Sequence, residues 1–182
     1  KMEEFNKKNK NRVLDAVNGE MSYQKLTAPE LHQFVMHWNY DDGIEPFKWI
    51  IKQKYLDKGT ALCLYWMLQP DYFCRFENED QIKDQFNYEN YKLIKEIEEK
   101  YVSGFYTDEN FSFDPNEEFL DQNTNTKCIP SVMLLKSAGN VFERLDIEFA
   151  FLRKPNEKEI KSINTKIGDA VKIIQVSNPN FV

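Results

Sequence analysis

Apolar residues recur at helical spacing through the first hundred positions and alternate only near the end of the chain. In "LTAPELHQFVMHWN", Leu31, Phe34, Val35 and Trp38 fall at i, i+3, i+4 and i+7, the stripe of a helix with one face in a core. Thr27 predicts its N-cap, Pro29 lies in its first turn, and Glu30 at N3 completes a capping box. The stripe ends at "DDG", where Gly43 permits a tight turn and Asp41 or Asp42 can bond backbone amides. A second helix begins near Glu45–Pro46, with Phe47, Ile50 and Ile51 inside and Lys48 and Lys52 outside. Asp57 predicts the N-cap of a third, "KGTALCLYWML", which is apolar nearly all round from Ala61 to Leu68 and reads as the central buried helix. Gly59 lowers its helix propensity, which the close approach of a neighbouring helix would explain.

Pro70–Asp71 stops that helix, and a fourth is expected over about residues 81–103, with Phe86, Leu93, Ile94, Ile97 and Tyr101 on its apolar face. Lys95/Glu99 and Glu96/Lys100 sit at i, i+4 on its outside. An irregular connection over about 104–128 follows, and "IPSVMLL" fits either a short helix begun by Pro130 or a buried strand. In "RLDIEFAFLRKP", Leu145, Ile147, Phe149 and Phe151 alternate with their neighbours, the clearest strand pattern in the chain. A helix carrying Ile160, Ile163 and Ile167 and a closing strand, "VKIIQVS", complete the pattern. The fold class expected is α+β. A helical N-terminal part (about 13–103) packs with a small strand–helix–strand unit (about 143–177) in a single domain over 1–182, its α+β part spanning about 129–182.

Composition supports a folded chain: 41% of its 182 residues are hydrophobic and 14% aromatic, enough for a core. No apolar run reaches the roughly 20 residues of a membrane helix, and the polar start after Met2 lacks a signal peptide's apolar centre. A cytoplasmic protein without membrane contact is expected. Cys63, Cys74 and Cys128 show no metal-ligand spacing and read as reduced structural cysteines, with a Cys74–Cys128 bridge as the alternative. The net charge of −6 is unevenly spread: residues 71–121 hold 15 acidic against 5 basic residues, a net of −10. Such a stretch repels nucleic acid and attracts a basic protein. Glu77, Glu79, Asp80, Asp84, Glu89, Asp108, Glu109, Asp114, Glu117 and Glu118 are its candidate partner-binding residues.

"HWNYDDG" gathers reactive residue types, but His32 and His37 stand about 140° apart around a helix of 3.6 residues per turn, and no third histidine exists. They read as surface or capping residues. No nucleophile elbow, phosphate loop or EF-hand spacing occurs, so no catalytic residue, metal or cofactor is assigned. Phe34, Asn39, Asp41, Asp42, Gly43, Asp57, Gly59, Thr60, Ala61, Leu62 and Trp66 together form a pattern that resembles the bacterial domain of unknown function family 4274, with Tyr65 where a phenylalanine is expected. The resemblance covers about residues 29–70, with a fainter echo in "FSFDP…IPSVM". It implies a small helical domain of the kind met near bacterial toxin loci, in which Asp41, Asp42, Gly43, Asp57, Gly59 and Thr60 punctuate the fold, so that Asp42→Ala should first cost stability. The expected function is a non-enzymatic binding protein, an immunity protein that occludes a basic toxin domain, with a nuclease as the natural target. The alternatives are an enzyme using His37, Asp41 and Asp42, or a regulatory protein-interaction module.

Overall fold

Helix α4, Lys58–Met67, is the axis of the structure, and every residue from Gly59 to Trp66 along it is buried. The structure is a computed structural model and describes residues 11–83, 87–141 and 144. Around α4 lie a helical segment over 11–17 (α1), α2 (Ala28–His37), α3 (Glu45–Ile50), α5 (Pro70–Phe73), α6 (Glu79–Lys83) and α7 (Tyr88–Val102). Strand β1 (Phe111–Ser112), the single turn α8 (Pro115–Glu118) and strand β2 (Asn140–Val141) follow. The two strands pair in parallel, Phe111 with Asn140 and Ser112 with Val141. The chain is therefore α+β: mainly helical, with a small sheet after the helices. The expected strand–helix–strand unit over about 143–177 lies outside the described residues.

Each long helix forms where its sequence pattern requires. In α2 the Glu30 carboxylate accepts from the Thr27 backbone amide at 2.8 Å, the capping-box bond, and Leu31, Phe34 and Val35 are fully buried. Glu30 is itself buried and holds α1 to α2 through the Arg12 guanidinium at 2.8 Å. Helices α2 and α7 both pack on α4. Tyr65 donates to Glu98 of α7 at 2.8 Å, and Lys95 also bonds Glu98, so that buried carboxylate has two partners. Lys95 thus pairs with Glu98 rather than Glu99, whereas Lys100 takes Glu96 as expected.

Three expectations change and one open choice is decided. The fourth helix is not continuous from 81, because α6 ends at Lys83 and α7 begins at Tyr88. The Tyr88 hydroxyl bonds Glu79 at 2.7 Å, although nine residues of straight helix would separate them by about 13 Å. The connection over 104–128 contains β1 and α8, whose short lengths leave no periodicity to read. "IPSVMLL" takes the first of its two expected forms, a short helix after Pro130: Ser131–Leu134 is a 3-10 helix that buries Met133. Cys74 and Cys128 form a disulfide with their Cα atoms 5.2 Å apart, while Cys63 is the free thiol. Asn125 donates to the Cys74 carbonyl at 3.1 Å, holding the segment before Cys128 against the end of α5. A contact across 54 positions leaves no local trace in the sequence.

Candidate functional site

The carboxylate of Asp57 is buried at the start of α4 and gathers three amides. It accepts from Gly59 at 2.9 Å as an N-cap, and from Asn110 and Phe111 at 2.6 and 3.3 Å. Burial raises its pKa, against the three amides that favour its charged form. One residue thus caps the central helix and anchors β1, which lies about fifty positions away. Gly59 makes the approach feasible: a Cβ there would stand 1.9 Å from the Phe111 carbonyl oxygen. Gly139 guards the other side of the same backbone, where a Cβ would meet the Asn110 carbonyl carbon at 2.6 Å, and its φ of +109° suits glycine. The neighbour that requires Gly59 is therefore a strand, not the helix expected from sequence.

Thr60 carries the network inward. Its hydroxyl lies 2.9 Å from His32 Nδ1, and the His32 ring stacks on Phe111 with centroids 4.9 Å apart. His32 is buried, which corrects its reading as a surface or capping residue, and burial lowers its pKa to about 4. Its imidazole is neutral at physiological pH.

Beside this node opens a cavity of about 160 Å³. His32, Met36, Cys63, Met67 and Phe113 form its floor, and Asp114, Glu117, Glu118, Lys136 and Arg144 stand around it with Ser112 and Val141. Burial pushes the Cys63 thiol up to about 12, so it stays protonated and makes a poor nucleophile. Asp114 is occupied as the N-cap of α8, accepting from Asn116 at 3.0 Å. Among the described residues no three His, Cys, Asp or Glu side chains form a group able to hold a metal ion.

The turn that attracted attention in the sequence is built differently from expectation. Asn39, not Asp41 or Asp42, caps the 3-10 turn Tyr40–Asp42 by accepting from the Asp41 amide at 3.2 Å. Trp38 closes it by donating to the Gly43 carbonyl at 2.8 Å, and Tyr40 stacks on Phe47. Gly43 has φ +95°, the conformation its position in the turn demands. Asp41 and Asp42 are exposed, and their carboxylates make no hydrogen bond or ion pair with the described residues. His37 ends α2 and, like these two aspartates, does not line the cavity.

The acidic residues fall into separate neighbourhoods. Glu79 is held by the Tyr88 hydroxyl, Asp80 pairs with Lys83 at 2.8 Å, and Glu89 pairs with Lys48 and Lys92. Near the start of α4, Glu109 pairs with Lys58 at 2.8 Å beside Asp108, whose carbonyl accepts from the Lys58 amide. Glu117 and Glu118 stand at the cavity, while Asp84 lies outside the described residues. Glu77, Asp108, Glu117 and Glu118 form no ion pair among the described residues.

Residues 27–102 match the family model described as Domain of unknown function (DUF4274). The match runs from the Thr27 cap to the end of α7 and so confirms the resemblance read from the "WNYDDG" and "DKGTAL" segments, over a longer span. It contains Asp57, Gly59, Thr60, His32 and Cys63, but stops before the residues at 108–141 that close the node and the cavity. No curated protein and no solved structure matches the chain. Sequence reasoning missed His32, Cys63, Ser112, Lys136 and Arg144 as neighbours, because they converge from five separate segments. Only the echo in "FSFDP…IPSVM" pointed to that region. No helix among the described residues is long and apolar enough to cross a membrane.

Proposed function

We propose that this is a non-enzymatic binding protein whose exposed carboxylates steer it onto a basic protein partner. The reading extends to an immunity protein that occludes a toxin domain. The observation that supports it best is the charge left unpaired: Glu77, Asp108, Glu117 and Glu118 have no cationic partner among the described residues, in a stretch of net −10. Unpaired surface charge raises association rates with an oppositely charged surface, and it does so in a salt-dependent way. At the cavity, burial keeps the Cys63 thiol protonated, which makes it a poor nucleophile. A nuclease toxin suits the charge, because an enzyme that attracts phosphate is basic on its active face. The same reading places the protein in the cytoplasm, where cellular reductants would hold Cys74 and Cys128 as thiols. A bridge found intact in cells alkylated at lysis would instead place it in an oxidising compartment.

The test is co-expression with a toxin found encoded by a neighbouring gene, together with stopped-flow association at two salt concentrations. The variant carries Glu77→Gln, Asp108→Asn, Glu117→Gln and Glu118→Gln. Protection should weaken, and the association rate at low salt should fall by about tenfold or more, with a flatter salt dependence. Unchanged protection and an unchanged rate would overturn the steering mechanism.

A further inference from the structure

The cavity beside His32 shares Glu117 and Glu118 with the partner-binding reading but has further features that reading does not use. Met36, Met67 and Phe113 give its lining an apolar and adaptable part. Its rim carries both signs of charge, Glu117 and Glu118 on α8 and Lys136 and Arg144 on the segments flanking β2. None of these four forms a salt bridge among the described residues, although Lys136 is near enough to Asp114 of the same lining to add to the Asn116 bonds that lower the Asp114 pKa. Ser112 lines the same cavity, and its Oγ is buried without a hydrogen-bond partner among the described residues. A buried hydroxyl left in that condition costs free energy that a ligand's polar atom would recover. The volume, about 160 Å³, is below the range of drug-sized pockets, so the ligand is small.

The geometry points to a binding site for a free α-amino acid with an apolar side chain. Its ammonium would face Glu117 and Glu118, its carboxylate would face Lys136 and Arg144 with the Ser112 hydroxyl donating, and its side chain would lie on Met36, Met67 and Phe113. Such a ligand is the smallest that offers both charges and an apolar body together. A cation alone would leave Lys136 and Arg144 unmatched, and an anion alone would leave the two glutamates so.

Isothermal titration calorimetry of the intact chain tests this with L-leucine and L-methionine as probes. Isoamylamine serves as the leucine analogue without a carboxylate, and isocaproate as the analogue without an ammonium. Both amino acids should bind at millimolar concentration or tighter. Each truncated analogue should bind at least about tenfold more weakly, the effect of one lost charge-assisted contact. Lys136→Ala with Arg144→Ala should weaken leucine by a similar factor while leaving isoamylamine unaffected, and Glu117→Gln with Glu118→Gln should do the reverse with isocaproate. These four side chains are exposed, so circular dichroism should show the variants folded. Absence of binding at millimolar amino acid, equal affinity for leucine and its analogues, or variants that bind leucine as the parent does would overturn the proposal. The analogue series and the Lys136→Ala with Arg144→Ala variant leave every carboxylate of the steering test in place, so their failure is distinguishable from a failure of toxin protection.

Discussion

Gly59→Ala puts two opposing magnitudes on one residue. In the interior of a solvated helix the substitution stabilises by about 1 kcal/mol, because alanine restricts the unfolded chain and glycine does not. Here the new methyl would stand 1.9 Å from the Phe111 carbonyl oxygen, 2.8 Å from its carbon and 3.0 Å from Ser137 Oγ. Backbone carbonyls cannot swing aside as a side chain can, so β1 must move away from α4. That movement strains the bonds from the Asn110 and Phe111 amides to Asp57, each a charge-assisted bond worth about 1.5–3 kcal/mol. Overpacking adds about 1–3 kcal/mol. After the propensity gain is subtracted, Gly59→Ala should destabilise the protein by about 3 kcal/mol, which for a chain of this length lowers Tm by about 6–12 °C. Urea unfolding at constant m-value measures it, with Lys58→Ala as a neighbour that loses its ion pair with Glu109 and its place over the Tyr101 ring but adds no atom against β1. If Gly59→Ala is as stable as the parent, β1 does not lie against α4 as described.

His32 should make the protein acid-sensitive. Its folded pKa, about 4, lies below the ordinary 6.5, so the unfolded state binds the extra proton and stability falls as pH drops through that window. The total is about 3 kcal/mol, measurable by urea titration from pH 7 to 4, and His32→Gln should flatten the profile. Protein equilibrated in oxidising buffer and then denatured without reductant should titrate one thiol, Cys63, and three after reduction. Replacing Cys74 and Cys128 by serine should cost about 4 kcal/mol, the loop-closure value for a bridge spanning 54 residues, as read by thermal unfolding in oxidising buffer. Asp42→Ala should change stability by less than about 0.5 kcal/mol, because its exposed carboxylate bonds nothing among the described residues. Chemical denaturation decides that against the loss expected from sequence.

Sequence showed most where a rule is local. The Thr27–Glu30 box, the Asp57 cap and the apolar run of α4 each depend on residues within four positions, and each formed where the pattern placed it. It showed least where a residue has a second role at a distance. Asp57 reads as an ordinary cap, yet two of its three amide partners come from 110 and 111. Gly59 signals a close approach without naming what approaches, and Thr60 reads as a helix residue although its hydroxyl meets a histidine on another helix. Asp41 and Asp42 mislead in the opposite sense. Turn composition favours aspartate generally, but only one side chain can cap a given turn, and here Asn39 does so. The cavity was illegible because its lining joins the His32/Met36 pair of α2 and the Cys63/Met67 pair of α4 to residues at 112–118, 136, 141 and 144, and no local pattern links those segments.

The same distribution sets the limits of the folding unit. The family match ends at 102, yet α4 inside it is completed by residues outside it. A chain cut to 27–102 would leave Asp57 with one of its three amides and strand Trp66 Nε1, which donates to the Met133 carbonyl at 2.9 Å in a buried position. An orphaned buried donor costs about 1–3 kcal/mol. Tyr106, Phe111, Ile129 and Met133 would leave the core as well, each taking about 1.5–3 kcal/mol of apolar burial with it. Their sum, about 6–12 kcal/mol, is comparable to the whole stability of a domain, about 5–15 kcal/mol. The 27–102 fragment should therefore keep helical far-UV dichroism at most and lose near-UV dichroism and cooperative unfolding. A fragment that melts in one sharp transition with ordered aromatic signals would mean that residues 103–141 decorate a core complete without them, and the role assigned to Asp57 as the joint between the two would fall.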